Sequence, residues 1–208
     1  MIFGNLVDRV ARRPSGMLGY LLYRFPLGHK PGFDIVLGRL PPQTDDRIAE
    51  IGCGGGVFMR RALMSGCRGL AIDHSPDMVA NAKRLNRYAV DAGRLAVVVG
   101  DAARLPADDA SFDKVYCLNA FFFFPNPQAS IAEMARILKP GGRLALVTSP
   151  PEFKTHIARF SKRMASSMRF DTLETLDMWI QAAGLVTEEM KAAPSAGNLV
   201  IARKEHLR

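Results

Sequence analysis

Cysteine, histidine, tryptophan and acidic side chains are all scarce in this chain of 208 residues, and each scarcity removes a class of function. The three cysteines, Cys53, Cys67 and Cys117, are odd in number and lack the spacing of metal ligands. They read as reduced thiols of a cytoplasmic protein, and no metal is expected. No apolar run reaches the length of about 18 residues that a membrane-spanning helix needs. The opening stretch, Met1 to Arg13, sets Asp8, Arg9, Arg12 and Arg13 among its apolar residues, which argues against a signal peptide. No repeat or low-complexity tract is visible. Twenty acidic residues against twenty-eight Lys and Arg leave a net charge of +8. That field attracts anions, so RNA and anionic metabolites both remain candidate partners.

What the chain does have is an orderly alternation of short apolar runs and helical stretches, the pattern of a parallel, doubly wound sheet. The apolar run Arg47-Ile48-Ala49 leads into Glu50-Ile51-Gly52-Cys53-Gly54-Gly55-Gly56, so the glycines fall at a strand-to-helix turn. Glycine there lets backbone N–H groups approach a ligand closely. Nineteen residues past Gly54, the run Gly69-Leu70-Ala71-Ile72 ends on Asp73, placed to accept from two ribose hydroxyls. A dinucleotide fingerprint would put its third glycine at position 57, which is Val57 here. Further along, Leu95 to Val99 reads as a third strand before Gly100-Asp101-Ala102, and Lys114 to Asn119 as a fourth. Leu138-Lys139-Pro140-Gly141-Gly142-Arg143 ends a helix and starts a fifth, Leu144 to Thr148.

The E-x-G-x-G-x-G spacing, with Asp73, Asp101 and the Pro-Gly-Gly turn in this order, resembles the class I S-adenosylmethionine (SAM) methyltransferases, in particular a bacterial small-molecule group. The resemblance covers roughly residues 47–149, about half of the chain. It implies a Rossmann-like, seven-stranded, mostly parallel sheet with an antiparallel edge and helices on both faces. It also implies SAM as cofactor, held by Glu50, Gly52, Cys53, Gly54, Gly56, Asp73, His74, Met78, Asp101, Ala102 and Asn119. Within that set Asp101 and the Ala102 N–H would meet the adenine, His74 would stack on it, and the Asn119 carbonyl would take the methionine amine.

One domain is expected, with residues 1–46 as an N-terminal helical lid, 47–149 as the cofactor core, 150–171 as an inserted cap and 172–208 as a last helix with edge strands. Pro14, Pro26, Pro31 and Pro41-Pro42 punctuate the first segment, and Pro26 to Gly32 are expected to act as its joints. Thr172 is placed to cap the last helix. Tyr20 of the lid and Phe121, Phe122 and Phe124 after the fourth strand are expected to line an apolar substrate pocket, with the rest of that phenylalanine run in the core. Of the four histidines, His156 and His206 read as surface residues, and His29 in the lid is the one candidate base.

The reading is of a methyltransferase acting on a small molecule, as a monomer or homodimer. Two alternatives stand beside it: an RNA methyltransferase, suggested by the charge, and a non-catalytic SAM-binding protein. Against RNA, no aromatic stacking platform interleaves with the basic residues, and no RNA-binding domain is appended.

Overall fold

The computed structural model describes residues 30–193 and 197–205. The described residues begin with helix α1 (Lys30–Arg39) and then alternate β1 (Arg47–Ile51), α2 (Val57–Ala62), β2 (Arg68–Asp73), α3 (Pro76–Leu85), α4 (Arg87–Asp91) and β3 (Leu95–Val99). They continue through β4 (Phe112–Leu118), α5 (Pro127–Ile137) and β5 (Leu138–Thr148). Two short helices follow, α6 (Phe153–Phe160) and α7 (Lys162–Ser167), before α8 (Leu173–Ala182), β6 (Leu185–Ala193) and β7 (Gly197–Lys204). His29, Tyr20 and His206 lie outside the described residues.

The seven strands form one sheet in the order β3-β2-β1-β4-β5-β7-β6. The first five run parallel, and β7 lies antiparallel between β5 and β6. This is the expected Rossmann-like sheet with its antiparallel pair at one side. Because β1 pairs with β2 on one flank and β4 on the other, the strand order reverses between β1 and β4. In open α/β sheets the crevice outside the carboxyl ends of the strands at such a reversal is where ligands bind.

Alternation along the strands builds a core on each face. In β5, Ala145 and Val147 point to the layer of α1, α2 and α3, where Phe33, Phe58 and Tyr116 pack with ring centroids 5.5 and 4.9 Å apart. Leu144 and Leu146 point to the layer of α5 and α8, against Ile131, Met134, Leu176 and Ile180. Full burial of a side chain of this kind stabilises the fold by about 1.5–3 kcal/mol. The buried Tyr116 hydroxyl donates to the Leu40 carbonyl at 2.8 Å, tying the segment after α1 to β4. Burial raises the Tyr116 pKa, so the phenol stays a donor.

Several element ends follow from local chemistry. Ser75 caps α3 by accepting from the Met78 N–H, Asn126 caps α5, and Thr172 caps α8 by accepting from the Thr175 N–H at 3.2 Å, as its sequence predicts. Other ends differ from expectation: β4 begins at Phe112 and not Lys114, and β5 takes in the Pro-Gly-Gly turn from Leu138 and does not wait for Leu144. Pro31 and Gly32 are not joints but part of the first turn of α1, where proline costs no hydrogen bond. Gly32 packs closely there, since a Cβ on it would lie 3.3 Å from the Asn119 amide nitrogen. Strand β4 stops at Leu118, because Asn119 adopts φ 57°, a left-handed conformation that asparagine tolerates better than most residues.

Candidate functional site

The carboxyl ends of β1, β2 and β4 bring together much of what the sequence singles out. After β1 the chain takes positive φ at Gly52 (76°), Gly54 (50°) and Gly56 (79°), so every second residue of the turn is one that L side chains rarely permit. The turn is tied to β2: the Gly52 and Cys53 N–H groups both donate to the Ile72 carbonyl, at 2.8 and 3.0 Å. A Cβ on Gly52 would sit 2.3 Å from the Ala120 Cβ and 3.5 Å from the tip of the Phe124 ring. The turn after β1 and the turn after β4 are therefore in direct contact. At the other end of the loop, a Cβ on Gly56 would meet the Asn86 amide at 2.6 Å and the Ala82 Cβ at 2.9 Å. Asn86 also donates to the Gly56 carbonyl at 3.0 Å.

Asp73, 7 % exposed, accepts from the Gly54 N–H at 2.8 Å and from the Ser75 N–H at 2.9 Å. Its carboxylate thus braces the glycine loop and the start of α3, and each oxygen keeps a lone pair for a ligand. His74, half-exposed, brings its Nδ1 to 3.4 Å from the same carboxylate. Asp101 is exposed at the next strand end, where it closes a tight turn by accepting from the Ala103 N–H at 2.9 Å, and Ala102 is partly buried beside it.

Glu50 is 2 % exposed, and its Oε2 has no hydrogen-bond partner. Burial, reinforced by the neighbouring Asp73 charge, pushes its pKa well above the carboxylate range, against one backbone bond from Met59. An unsatisfied buried acceptor beside a second carboxylate suits a ligand that carries positive charge. The sign of the pH effect follows. A carboxyl with a raised folded pKa favours the fold fully below its ordinary value of 4.5, and that contribution is lost as pH rises through the folded pKa. Glu50→Gln is therefore expected to flatten the fall in Tm of the ligand-free protein as pH rises above 4.5. Calorimetric scans of the two proteins with the same slope would contradict this.

Other expected site residues are more enclosed. Met78 is buried beneath the α3 turn, and Cys53 is buried with its sulfur 3.6 Å from the Gly54 carbonyl. Burial raises the thiol pKa of Cys53 and of Cys117, so neither is an available nucleophile. The phenylalanine run departs from expectation. With Asn119 left-handed, Phe121–Phe123 form a 3-10 turn instead of a strand. Phe121 (0 % exposed) and Phe122 (7 %) are buried, and Phe121 packs in the α5–α8 core with its ring 6.4 Å from Trp179. Phe121 is thus a core residue, and Phe122 is buried against Phe123, with ring centroids 4.7 Å apart. Phe124 keeps a partly exposed ring beside Gly52.

Three contributors escaped the sequence reading. Ala120 and Asn86 hold the loop, but neither residue type carries a signal. Arg169 reaches Phe124 from forty-five positions away, as described below. Among the described residues no group of three or more His, Cys, Asp or Glu side chains is placed to hold a metal, and no helix is long and apolar enough to cross a membrane.

A family model described as a methyltransferase domain matches residues 49–146. The chain is 33% identical over 162 residues to the 27-O-demethylrifamycin SV methyltransferase of Amycolatopsis mediterranei, covering 74% of this chain and 59% of the relative. It is 31% identical over 169 residues to a ubiquinone biosynthesis O-methyltransferase of Xanthomonas axonopodis pv. citri, covering 76% of this chain and 69% of the relative. The alignments thus leave roughly a third or more of each relative unmatched. Among solved structures, a Haloferax volcanii protein in complex with the Trm112 methyltransferase activator superposes with a TM-score of 0.77 at 25% identity, over 88% of this chain and 93% of that one. The [4+2]-cyclase SpnF has the same fold, with a TM-score of 0.71 at 20% identity over 84% and 81% of the two chains.

Proposed function

This chain belongs to the class I SAM-dependent methyltransferases, and we propose that it transfers a methyl group from SAM to a small-molecule acceptor with an apolar portion. The observation that carries the reading is the direct packing of the glycine turn on the turn after β4, with Gly52 against Ala120 and Phe124, at the strand-order reversal. In that arrangement the cofactor's ends and the acceptor's entry share one mouth. SAM supplies a methyl already activated by its sulfonium, so the chain's tasks are to bind, orient and exclude water.

The donor set suits this cofactor. Asp73 has lone pairs for two ribose hydroxyls, and Asp101 with the Ala102 N–H suits an adenine edge. The carbonyl of Asn119, the left-handed residue that ends β4, would accept from the methionine ammonium. The same positive charge would favour ionised Glu50. Phe124 would wall the acceptor side with an apolar ring, favourable beside a sulfonium. His29 is the candidate base for an acceptor that must lose a proton, and Tyr20 a further pocket residue. Both names carried by the similar proteins, of rifamycin and of ubiquinone biosynthesis, point to small acceptors. The cyclase shows that the fold alone does not fix the reaction.

Methyl-labelled SAM incubated with the protein and a cell extract tests the proposal. Label is expected in the solvent-extractable fraction, with and without EDTA, and SAM but not NAD is expected to bind in calorimetry. Label confined to RNA would replace the small-molecule reading. Tight SAM binding with no transfer would make the chain a non-catalytic binder.

A further inference from the structure

Arg169 follows α7 and joins three parts of the protein. Its backbone N–H donates to the Phe122 carbonyl at 2.8 Å, and its guanidinium Nη1 donates to the Phe124 carbonyl at 2.7 Å. Nη2 of the same group donates to Asp171 at 2.6 Å. The flat guanidinium also lies over two rings, 5.0 Å from the Phe121 centroid and 5.3 Å from that of Trp179 on α8. Asp171 is itself held, since its carbonyl accepts from the Asn198 amide at 3.2 Å. One residue therefore fastens two carbonyls of the turn after β4, Phe122 through its backbone and Phe124 through its side chain, to the start of α8 and to β7.

We propose that Arg169 is the positioning residue of the acceptor side, holding the 121–124 turn so that Phe124 stays against the glycine loop. The proposal rests on the methyltransferase reading above. Its logic is geometric. The turn after β4 contributes one wall of the mouth, and its carbonyls are captured by a residue that does not itself reach Gly52. A planar fork with several donors serves two acceptors while stacking between rings. A lysine, with one compact charge, cannot bond the Phe124 carbonyl, pair with Asp171 and stack at once. Since Asp73, Gly54 and Asp101 hold the cofactor from other strands, releasing this turn disturbs acceptor alignment more than cofactor binding.

The test uses Arg169→Ala and Arg169→Lys, with exposed Lys162→Ala as a control. Trp179 is the one tryptophan of the chain, so its fluorescence reports on this contact without an added probe. In both Arg169 variants, quenching of Trp179 by acrylamide is expected to rise, while affinity for S-adenosylhomocysteine stays within about threefold. Label transfer from SAM to the extract is expected to fall by about tenfold or more in both, because a misaligned acceptor loses rate steeply with small displacements. Unchanged transfer in Arg169→Ala would overturn the proposal. So would affinity and transfer falling by one common factor, which is the signature of a general structural role. If Arg169→Ala does not fold, Arg169→Lys carries the same comparison, since it keeps the stem and the charge. Should the wild-type protein not bind S-adenosylhomocysteine at all, the methyltransferase reading fails separately. Trp179 quenching then decides the clamp alone, a rise supporting it and no change overturning it.

Discussion

Gly52→Ala is expected to reduce S-adenosylhomocysteine affinity by about 100-fold or more. Two costs combine. The backbone at this position has φ 76°, and a left-handed alanine costs about 1–2 kcal/mol. The new methyl would also lie 2.3 Å from the Ala120 Cβ, where neither partner has a rotatable side chain to move aside. Overpacking of that kind costs about 1–3 kcal/mol. The strain is relieved by pushing the glycine loop itself away from Ala120, which displaces the Gly54 to Gly56 backbone that the cofactor needs. Gly93→Ala is the matched control, because Gly93 has φ 65° but nothing within 4 Å of its missing Cβ. That variant should lose a little stability and no affinity. Equal affinity in the wild type and Gly52→Ala, read by calorimetry, would show that contact between the turns does not shape the site.

Asp73→Ala should weaken cofactor binding by about 2–3 kcal/mol, through loss of a charged acceptor for the ribose hydroxyls. The structure adds a second effect. The Gly54 and Ser75 N–H groups both lose their acceptor, so the loop loosens before any ligand arrives. Removing the charge also relieves Glu50, whose pKa Asp73 helps to raise. Tm at neutral pH should therefore fall less than the loss of two backbone bonds alone implies, while affinity falls in full. Calorimetry and thermal scans of one variant measure both quantities. Unimpaired affinity would remove Asp73 from the cofactor site.

The parts of this fold that were legible in the sequence are the locally encoded ones. Strand β3, the Thr172 cap and the glycine turn each follow from residues within a few positions of one another. So does Asp73, because its place is fixed by the length of one β-α-β unit. The expectation that Phe121 and Phe122 line a pocket had no local signal to correct it, because which phenylalanines turn inward is set by the left-handed Asn119 and the 3-10 turn after it, and these bury Phe121 and Phe122 together. Arg169 was invisible for a different reason. Its partners are two carbonyls and two rings brought together by tertiary packing, and a carbonyl has no residue type to recognise. The Gly52–Ala120 contact likewise joins turns that are remote in sequence, although the glycine itself was flagged.

Strand β6 closes the sheet on the side away from β3, and it is poorly suited to recruit a further chain. Its pairing with β7 shifts register between Thr187 and Glu189, and such an irregularity bends the outer backbone away from a flat ribbon. Glu188 pairs with Arg143 and Arg203, and Glu189 with Arg39 and Lys191, so the outermost strand carries a dense set of charges. A neighbouring strand would have to strip water from these groups and match a bent hydrogen-bond ladder. Irregularity and charge together discourage edge-to-edge aggregation at this border, which lacks the flat, apolar template that fibre growth needs.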